Sequence, residues 1–349
     1  MAHRTAVLHV LDGSARERAQ VRAALTATSL TRPVLVDRGP GGDPARDVAT
    51  IGWLAALAAS NASRVLHCHG AGGAWHALKA SRMVVGRLGI SVSGRDVLVE
   101  LRENQRMLGA LKRARLVVVP SQFLADAVLA RRVPHERVHV VPPGVPLGPD
   151  PLPRHNEIPV VVFTGAFDEQ SGVLDVAEAI KGQPVRGHFV GSGPLEHQLR
   201  SYDVEVTVTD DPAVQRSALR AGDLAIAAGR TTDDGDAEAW GRSAVEAQAA
   251  GLPVIATRNG GLAQWVADDV AVLVPSHGDV VRSLRWALED LLARPQDWEA
   301  LGRAGRAHVS QRLDVVARTA ELEQLWLAMS RLGALTKLRG SLTRPPDQF

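Results

Sequence analysis

The chain has one cysteine, Cys68, among 349 residues, so it contains no internal disulfide and suits a reducing cytoplasm. Aromatics make up only 4%, with a single tyrosine. No basic stripe interleaves with them, which argues against a nucleic-acid-binding surface. No stretch approaches the ~20 apolar residues that a membrane span requires. The N-terminus runs from MAHRT straight into AVLHVL, without the apolar core and cleavage site of a secretory signal. Excess charge is lacking too. Lys+Arg total 40 against 38 Asp+Glu, a formal charge of +2, so the pI near 9.0 is not a nucleic-acid signature.

What is present is an alternation of short β-rich runs and longer helical patterns, which predicts an α/β architecture with parallel sheets. Strands are expected at Ala6–Leu11, Pro33–Val36, Arg64–Cys68, Gly89–Val92, Leu116–Val119 and Val138–Val141, with helices such as Ala15–Ala27, Ile51–Ala59 and Gln122–Ala130 between them. Pro142-Pro143-Gly144 breaks the pattern and opens a proline-rich linker that reaches Pro159. A second α/β set follows. Its strands are expected at Val160–Thr164, Arg186–Val190, Val204–Val208, Leu224–Ala228, Val254–Ala256 and Val270–Val274. Its helices fall at Val173–Lys181, Leu195–Arg200, Pro212–Arg220, Ser243–Ala250, Val280–Ala293 and Trp298–Gln311. A last amphipathic run, Val315–Leu332, could cross back to the first set. Two domains are therefore expected, 1–145 and 146–335, with a frayed tail at 336–349. Sheets of this kind bind ligands at the carboxyl ends of their strands.

The informative stretch is Glu238-Ala-Trp-Gly-Arg-Ser-Ala-Val-Glu246, continuing AQAAGLPVIATRNGG. Gly241 permits close backbone approach just before a helix whose N-terminal N–H groups suit an anionic phosphate or a sugar hydroxyl. Glu246, near the end of the first turn, could accept hydrogen bonds from a ribose diol. The segment resembles the E-x7-E signature of the retaining GT-B glycosyltransferases of family 4. So do PSQFLADAVLARRVPHERVHVVPPGV, VVFTGAFDEQSGVLDVAEAI, GSGPLEHQL and AGDLAIAA, in the family's order. The likeness covers nearly the whole second half and the end of the first.

The resemblance implies two Rossmann-like domains facing each other across a cleft, an NDP-sugar donor (UDP or GDP) held by the second, and transfer with retention and without a metal or other cofactor. It implies that Glu246 holds the ribose, that Glu238 contacts donor hydroxyls, and that Gly241, Arg242 and Ser243 approach the sugar or diphosphate. Gly13, Gly165 and Gly191 fall in the family's donor-side loops. The chain departs at three places. The family's G-R-x-x-x-x-K-G loop reads Gly165-Ala166-Phe-Asp-Glu-Gln-Ser171-Gly172, so both diphosphate-neutralising cations are missing, and Asp168 and Glu169 are added. The family's His-Gly-x-Asp turn reads Ser93-Gly94-Arg95-Asp96, which leaves Ser93 and Asp96 as the candidates at that catalytic position. Arg242, Arg95, Arg230, Arg258 and Arg16 are the cations available as replacements.

On the acceptor side, His69, Trp75 and His76 are candidates, while the His67-x-His69 pair lacks a partner with metal-ligand spacing. Lys112-Arg113-Ala-Arg115 is too small a basic cluster for a membrane anchor. The expected partners are thus a nucleotide sugar and a small-molecule acceptor, with no nucleic acid or membrane, for a cytoplasmic monomer or homodimer. An Ala- and Arg-rich composition with few lysines suits a high-GC bacterium and secondary-metabolite (antibiotic) biosynthesis. A sulfur acceptor would offset the lost cations, because thiolates are intrinsically strong nucleophiles. Two alternatives stand beside this reading: a transferase-like binding or regulatory protein without activity, and an enzyme with a lipid-linked acceptor.

Overall fold

The computed structural model describes residues 4–11, 15–37, 44–151 and 156–331. Twelve strands form in chain order. In the first half these are β1 (Thr5–Leu11), β2 (Thr31–Asp37), β3 (Val65–His69), β4 (Arg87–Ser91), β5 (Leu116–Val119) and β6 (Val138–Val140). In the second they are β7 (Val160–Ala166), β8 (Arg186–Ser192), β9 (Glu205–Val208), β10 (Leu224–Ala227), β11 (Val254–Arg258) and β12 (Val272–Pro275).

Every pairing is parallel, and the strands build two six-stranded sheets, β2-β1-β3-β4-β5-β6 and β12-β11-β10-β7-β8-β9. The central strands are continuous apolar runs because helices cover both faces, as β5 (LVVV) and β10 (LAIA) show by being buried throughout. The strand order reverses between β1 and β3 in the first sheet and between β7 and β10 in the second. Crevices open at such reversals, outside the carboxyl ends.

The expected secondary structure is found with shifts of one to three residues at most ends. Leu116–Val119, Gln122–Ala130 and Val280–Ala293 form with the boundaries expected. The helix expected over Ile51–Ala59 begins earlier, spanning Pro44–Ser60, and two helices not singled out above, Ala74–Met83 and Gln105–Arg113, complete the first layer. The 336–349 tail lies outside the described residues.

The last helix, Val315–Ser330, packs on the face of the first sheet with the helix Ala15–Leu25, where Trp326 and Met329 join Val7, Val65, Leu116 and Val118 in one buried cluster. Glu323, on that helix and fully buried, accepts the N–H groups of Ser29, Leu30 and Thr31 at 2.7–3.0 Å and the Thr31 hydroxyl at 2.8 Å. Burial pushes its carboxyl upward, but these hydrogen bonds outweigh burial and hold it below the usual range. The two halves also meet through helix ends and loops. The Gln122 N–H donates to Gln264 Oε1 at 2.6 Å, and the Trp265 indole donates to the Pro120 carbonyl at 2.9 Å.

Candidate donor and acceptor cleft

Between the two sets of carboxyl strand ends lies a cleft of about 930 Å³. Its second-domain wall is the end of β7 (Gly165, Ala166), the loop holding Ser171, the residues after β10, and the segment 236–243. Its first-domain wall is the ends of β3 and β4, the turn Ser93–Asp96, and one face of the last helix.

The donor-side wall turns on Gly241. It caps the helix Arg242–Ala249 with φ +80, and a Cβ there would sit 2.6 Å from Leu262 Cγ, so only glycine fits. Glu238 folds back onto this cap: its Oε1 accepts the Gly241 N–H at 3.0 Å and the Trp240 N–H at 3.3 Å. The carboxylate therefore fixes the loop that presents the helix N-terminus to the cleft, and Glu238, Arg242 and Ser243 all line it. The Arg242 guanidinium lies 5.2 Å from the Trp240 ring centroid and 3.8 Å from Glu246.

Glu246 sits in the second helical turn rather than the first. It is only 8% exposed, lies beneath Arg242, and is not among the lining residues. Arg230 is directed away, paired with Asp175 at 3.4 Å, and does not line the cleft. Arg258 is paired with Asp268. Gly191 is absent from the lining as well, but a Cβ there would fall 1.7 Å from the Gly165 carbonyl oxygen, so it lets Gly165 reach the cleft. Gly13 and the side chain of Arg16 lie outside the described residues.

The loop where the family's two cations are missing is ordered by its own acid. Asp168 Oδ1 accepts the Ser171 N–H at 2.9 Å, and the Ser171 hydroxyl donates to the Asp168 carbonyl at 2.8 Å. Neither Asp168 nor Glu169 lines the cleft, so the negative charge expected there does not face a donor.

On the opposite wall, Ser93 and Asp96 form a capping box on the short helix Gly94–Leu98: the Ser93 N–H donates to Asp96 Oδ2 at 2.7 Å, and the Asp96 N–H donates to Ser93 Oγ at 3.2 Å. Burial raises the Asp96 carboxyl to about 6, against the lowering effect of these bonds. Both residues line the cleft, with Asp96 Oδ2 and Ser93 Oγ each accepting the other's backbone N–H. Arg95 reaches across to the second domain, 3.8 Å from both Asp234 and Asp236, and Arg102 donates to the Asp234 carbonyl at 2.6 Å. Burial raises the Asp236 carboxyl, with Arg95 opposing.

Of the acceptor candidates, His69 lines the cleft. Trp75 is packed against the first core with Lys79 over its ring at 4.6 Å, and His76 is 6% exposed; neither lines the cleft. Sequence reasoning missed Arg318, Leu322 and Trp326, which the last helix turns into the cleft at i, i+4 and i+8. That spacing was visible; what the stripe faces was not.

Two family profiles match the two halves in order: residues 2–148 match the profile described as Glycosyltransferase Family 4, and residues 158–294 match the one described as Glycosyl transferases group 1. A D-inositol 3-phosphate glycosyltransferase of Segniliparus rotundus is 32% identical over 234 residues, covering 58% of this chain and 50% of the relative. The chain spans about half the length of the curated relatives it matches. Among solved structures, a sucrose-phosphate synthase of Thermosynechococcus elongatus superposes with a TM-score of 0.72 at 20% identity, over 94% of this chain and 99% of that one. HepE of Anabaena, solved with UDP-glucose, superposes with a TM-score of 0.72 at 17% identity, over 92% of this chain and 99% of that one. With two facing parallel sheets and both profiles placed in order along it, the chain belongs to family 4 of the glycosyltransferases and has the GT-B fold.

Proposed function

We propose that the chain transfers a sugar from a UDP- or GDP-linked donor to a small-molecule acceptor, with retention and without a metal. The observation that carries this is the cleft itself, which joins the switch points of both sheets and opens onto the N-terminus of the helix Arg242–Ala249. The nucleoside diphosphate would lie against that helix end, where the dipole and Arg242 favour negative charge. Glu238 holds the loop in register. The anomeric carbon–oxygen bond to the diphosphate breaks and a bond from the acceptor atom forms on the same face of the sugar. The acceptor's proton passes to the leaving phosphate oxygen, and the nucleoside diphosphate departs. HepE, crystallised with UDP and with UDP-glucose, supports a donor of this chemistry.

A thiol acceptor and a role in secondary metabolism fit the thin complement of cations at the diphosphate position. That same thinness favours a second reading, a protein that binds nucleotide sugars without transferring them. Among the described residues, no helix is long and apolar enough to cross a membrane.

Thermal unfolding with UDP, GDP, ADP and TDP tests the donor site. One of them at a hundredfold excess over its Kd is expected to stabilise the fold by about 2.7 kcal/mol. The shift should shrink in Glu246→Ala, whose carboxylate anchors Arg242. No shift with any nucleotide at millimolar concentration would end the donor reading. A shift without product across alcohol and thiol acceptors would favour the binding protein.

A further inference from the structure

Two hydrogen-bonded relays run beneath the first-domain floor of the cleft, and the donor site uses neither. The first starts on the last helix. The Trp326 indole N–H can only donate, and it does so to His67 Nδ1 at 3.1 Å, so the His67 proton sits on Nε2. That proton is shared with Ser91 Oγ at 2.8 Å. Ser91 lines the cleft, and its hydroxyl, having accepted this bond, keeps its own proton to donate.

The second relay is a histidine pair. His9 Nδ1 and His69 Nε2 lie 3.0 Å apart, and His9 is fully buried with no partner on Nε2. A buried N–H without an acceptor is rarer than a buried lone pair without a donor, so the His9 proton belongs on Nδ1, inside the shared bond. His69 Nε2 then accepts, and the His69 proton sits on Nδ1, the remaining nitrogen of a ring that lines the cleft. Burial lowers His69 to about 3, so the ring stays neutral at any ordinary pH.

A third donor stands on the same wall. Arg318 offers only N–H groups; Glu321 takes Nη1 at 2.8 Å, and Nε is buried without a partner. Apolar side chains surround these donors: Val21 and Leu25 from the helix Ala15–Leu25, and Leu322 and Trp326 from the last helix. The acids that line the cleft, Asp96, Glu100, Asp236 and Glu238, come from the 94–102 turn and the 236–243 segment; on the last helix Glu321 pairs with Arg318 and does not line the cleft.

We propose that this lobe is the acceptor subsite and selects an acceptor with an apolar body and an anionic group, a carboxylate or a phosphate, held by the Ser91, His69 and Arg318 donors. Its role as acceptor subsite rests on the glycosyl-transfer reading above; its preference for anions does not.

The test is calorimetric titration of the full chain, first with the nucleotide that shifts its melting and then, with that nucleotide saturating, with phenyl phosphate, benzoate, benzyl alcohol and benzylamine. The two anions are expected to bind at least about tenfold more tightly than the alcohol or the amine, since charge-assisted bonds are the stronger ones. The tighter of the two anions identifies phosphate or carboxylate as the preferred group. Arg318→Gln and His69→Phe should each weaken anion binding by about tenfold with nucleotide affinity unchanged. Unfolding curves of both variants establish that they fold, and the imidazole ¹⁵N shifts of the wild-type protein read the His69 tautomer independently. Equal or absent binding of the four probes, anion affinity unmoved in both variants, or a proton on His69 Nε2 would each overturn the proposal. If no nucleotide binds but the anions do, the donor reading fails and the anion site stands.

Discussion

Glu323→Ala is expected to lower the stability of the fold by roughly 3–5 kcal/mol, because it strips a buried carboxylate from three backbone N–H groups and a hydroxyl at once. The residue is fully buried, and its partners, Ser29, Leu30 and Thr31, form the turn that leads into β2. Alanine leaves the N–H and hydroxyl of the fully buried Thr31 without their acceptor, whereas Ser29 and Leu30 lie at the surface. The last helix thus loses its main polar tie to the first domain, while the carbonyl of Met329 still accepts from Arg87.

The sign of the pH dependence follows from the lowered carboxyl. Its folded pKa lies below its unfolded value, so the stabilisation is fully present above the unfolded value and is lost as pH falls through the folded one. Wild type should therefore weaken in acid more steeply than the alanine variant, and the two stability curves should converge at low pH. Urea unfolding between pH 2.5 and 7 measures both effects. Equal stabilities at pH 7, or parallel acid slopes, would show that this carboxylate does not hold the helix.

That tie also marks where the sequence stopped being legible. Strands buried on both faces, such as β5 (LVVV) and β10 (LAIA), announce themselves as unbroken apolar runs, and the edge strands β2 and β9 by shorter β-branched ones. The helix Ala74–Met83 gave no such signal, because its buried face is largely alanine (Ala74, Ala77, Ala80) and contrasts little with its surroundings. The donor-side loop was legible in part, as a glycine just before a helix, found at φ +80; that Glu238 accepts the Trp240 and Gly241 N–H groups ahead of that helix was not.

Glu246 was placed near the donor by the family resemblance, and Arg230 by its spacing from the E-x7-E segment. Neither says that one sits beneath Arg242 or that the other is drawn off by Asp175. Arg318, Leu322 and Trp326 of the first-domain wall were hidden for a different reason. Trp326 lies some 260 residues from His67 and His69 in sequence, and only the return of the last helix brings them together. Nothing in either segment encodes that meeting on its own.

Arg242→Ala is expected to lower kcat of the proposed transfer by about 10²–10³ and to weaken nucleotide binding by about tenfold, the effects of removing a donor aimed at charge that develops on the leaving group. The cations lining the cleft among the described residues are Arg95, Arg242 and Arg318. Arg95 lies between Asp234 and Asp236, and Arg318 belongs to the opposite wall beside Glu321. With Ala166 and Ser171 standing where the resemblance implies Arg and Lys, the proposed diphosphate would be left chiefly to Arg242 and the helix end it occupies. Arg95→Ala should cost much less.

Loss of Arg242 also leaves the nearly buried Glu246 without that cation, and the double variant Arg242→Ala/Ser171→Lys separates this structural effect from the loss of charge at the donor. Ser171 lines the cleft on the neighbouring loop, so a lysine there restores positive charge to the donor without touching Glu246. Recovery of kcat by about tenfold or more would assign the effect to diphosphate charge. Failure to recover, with both variants melting well below wild type, would assign it to the support of Glu246 instead.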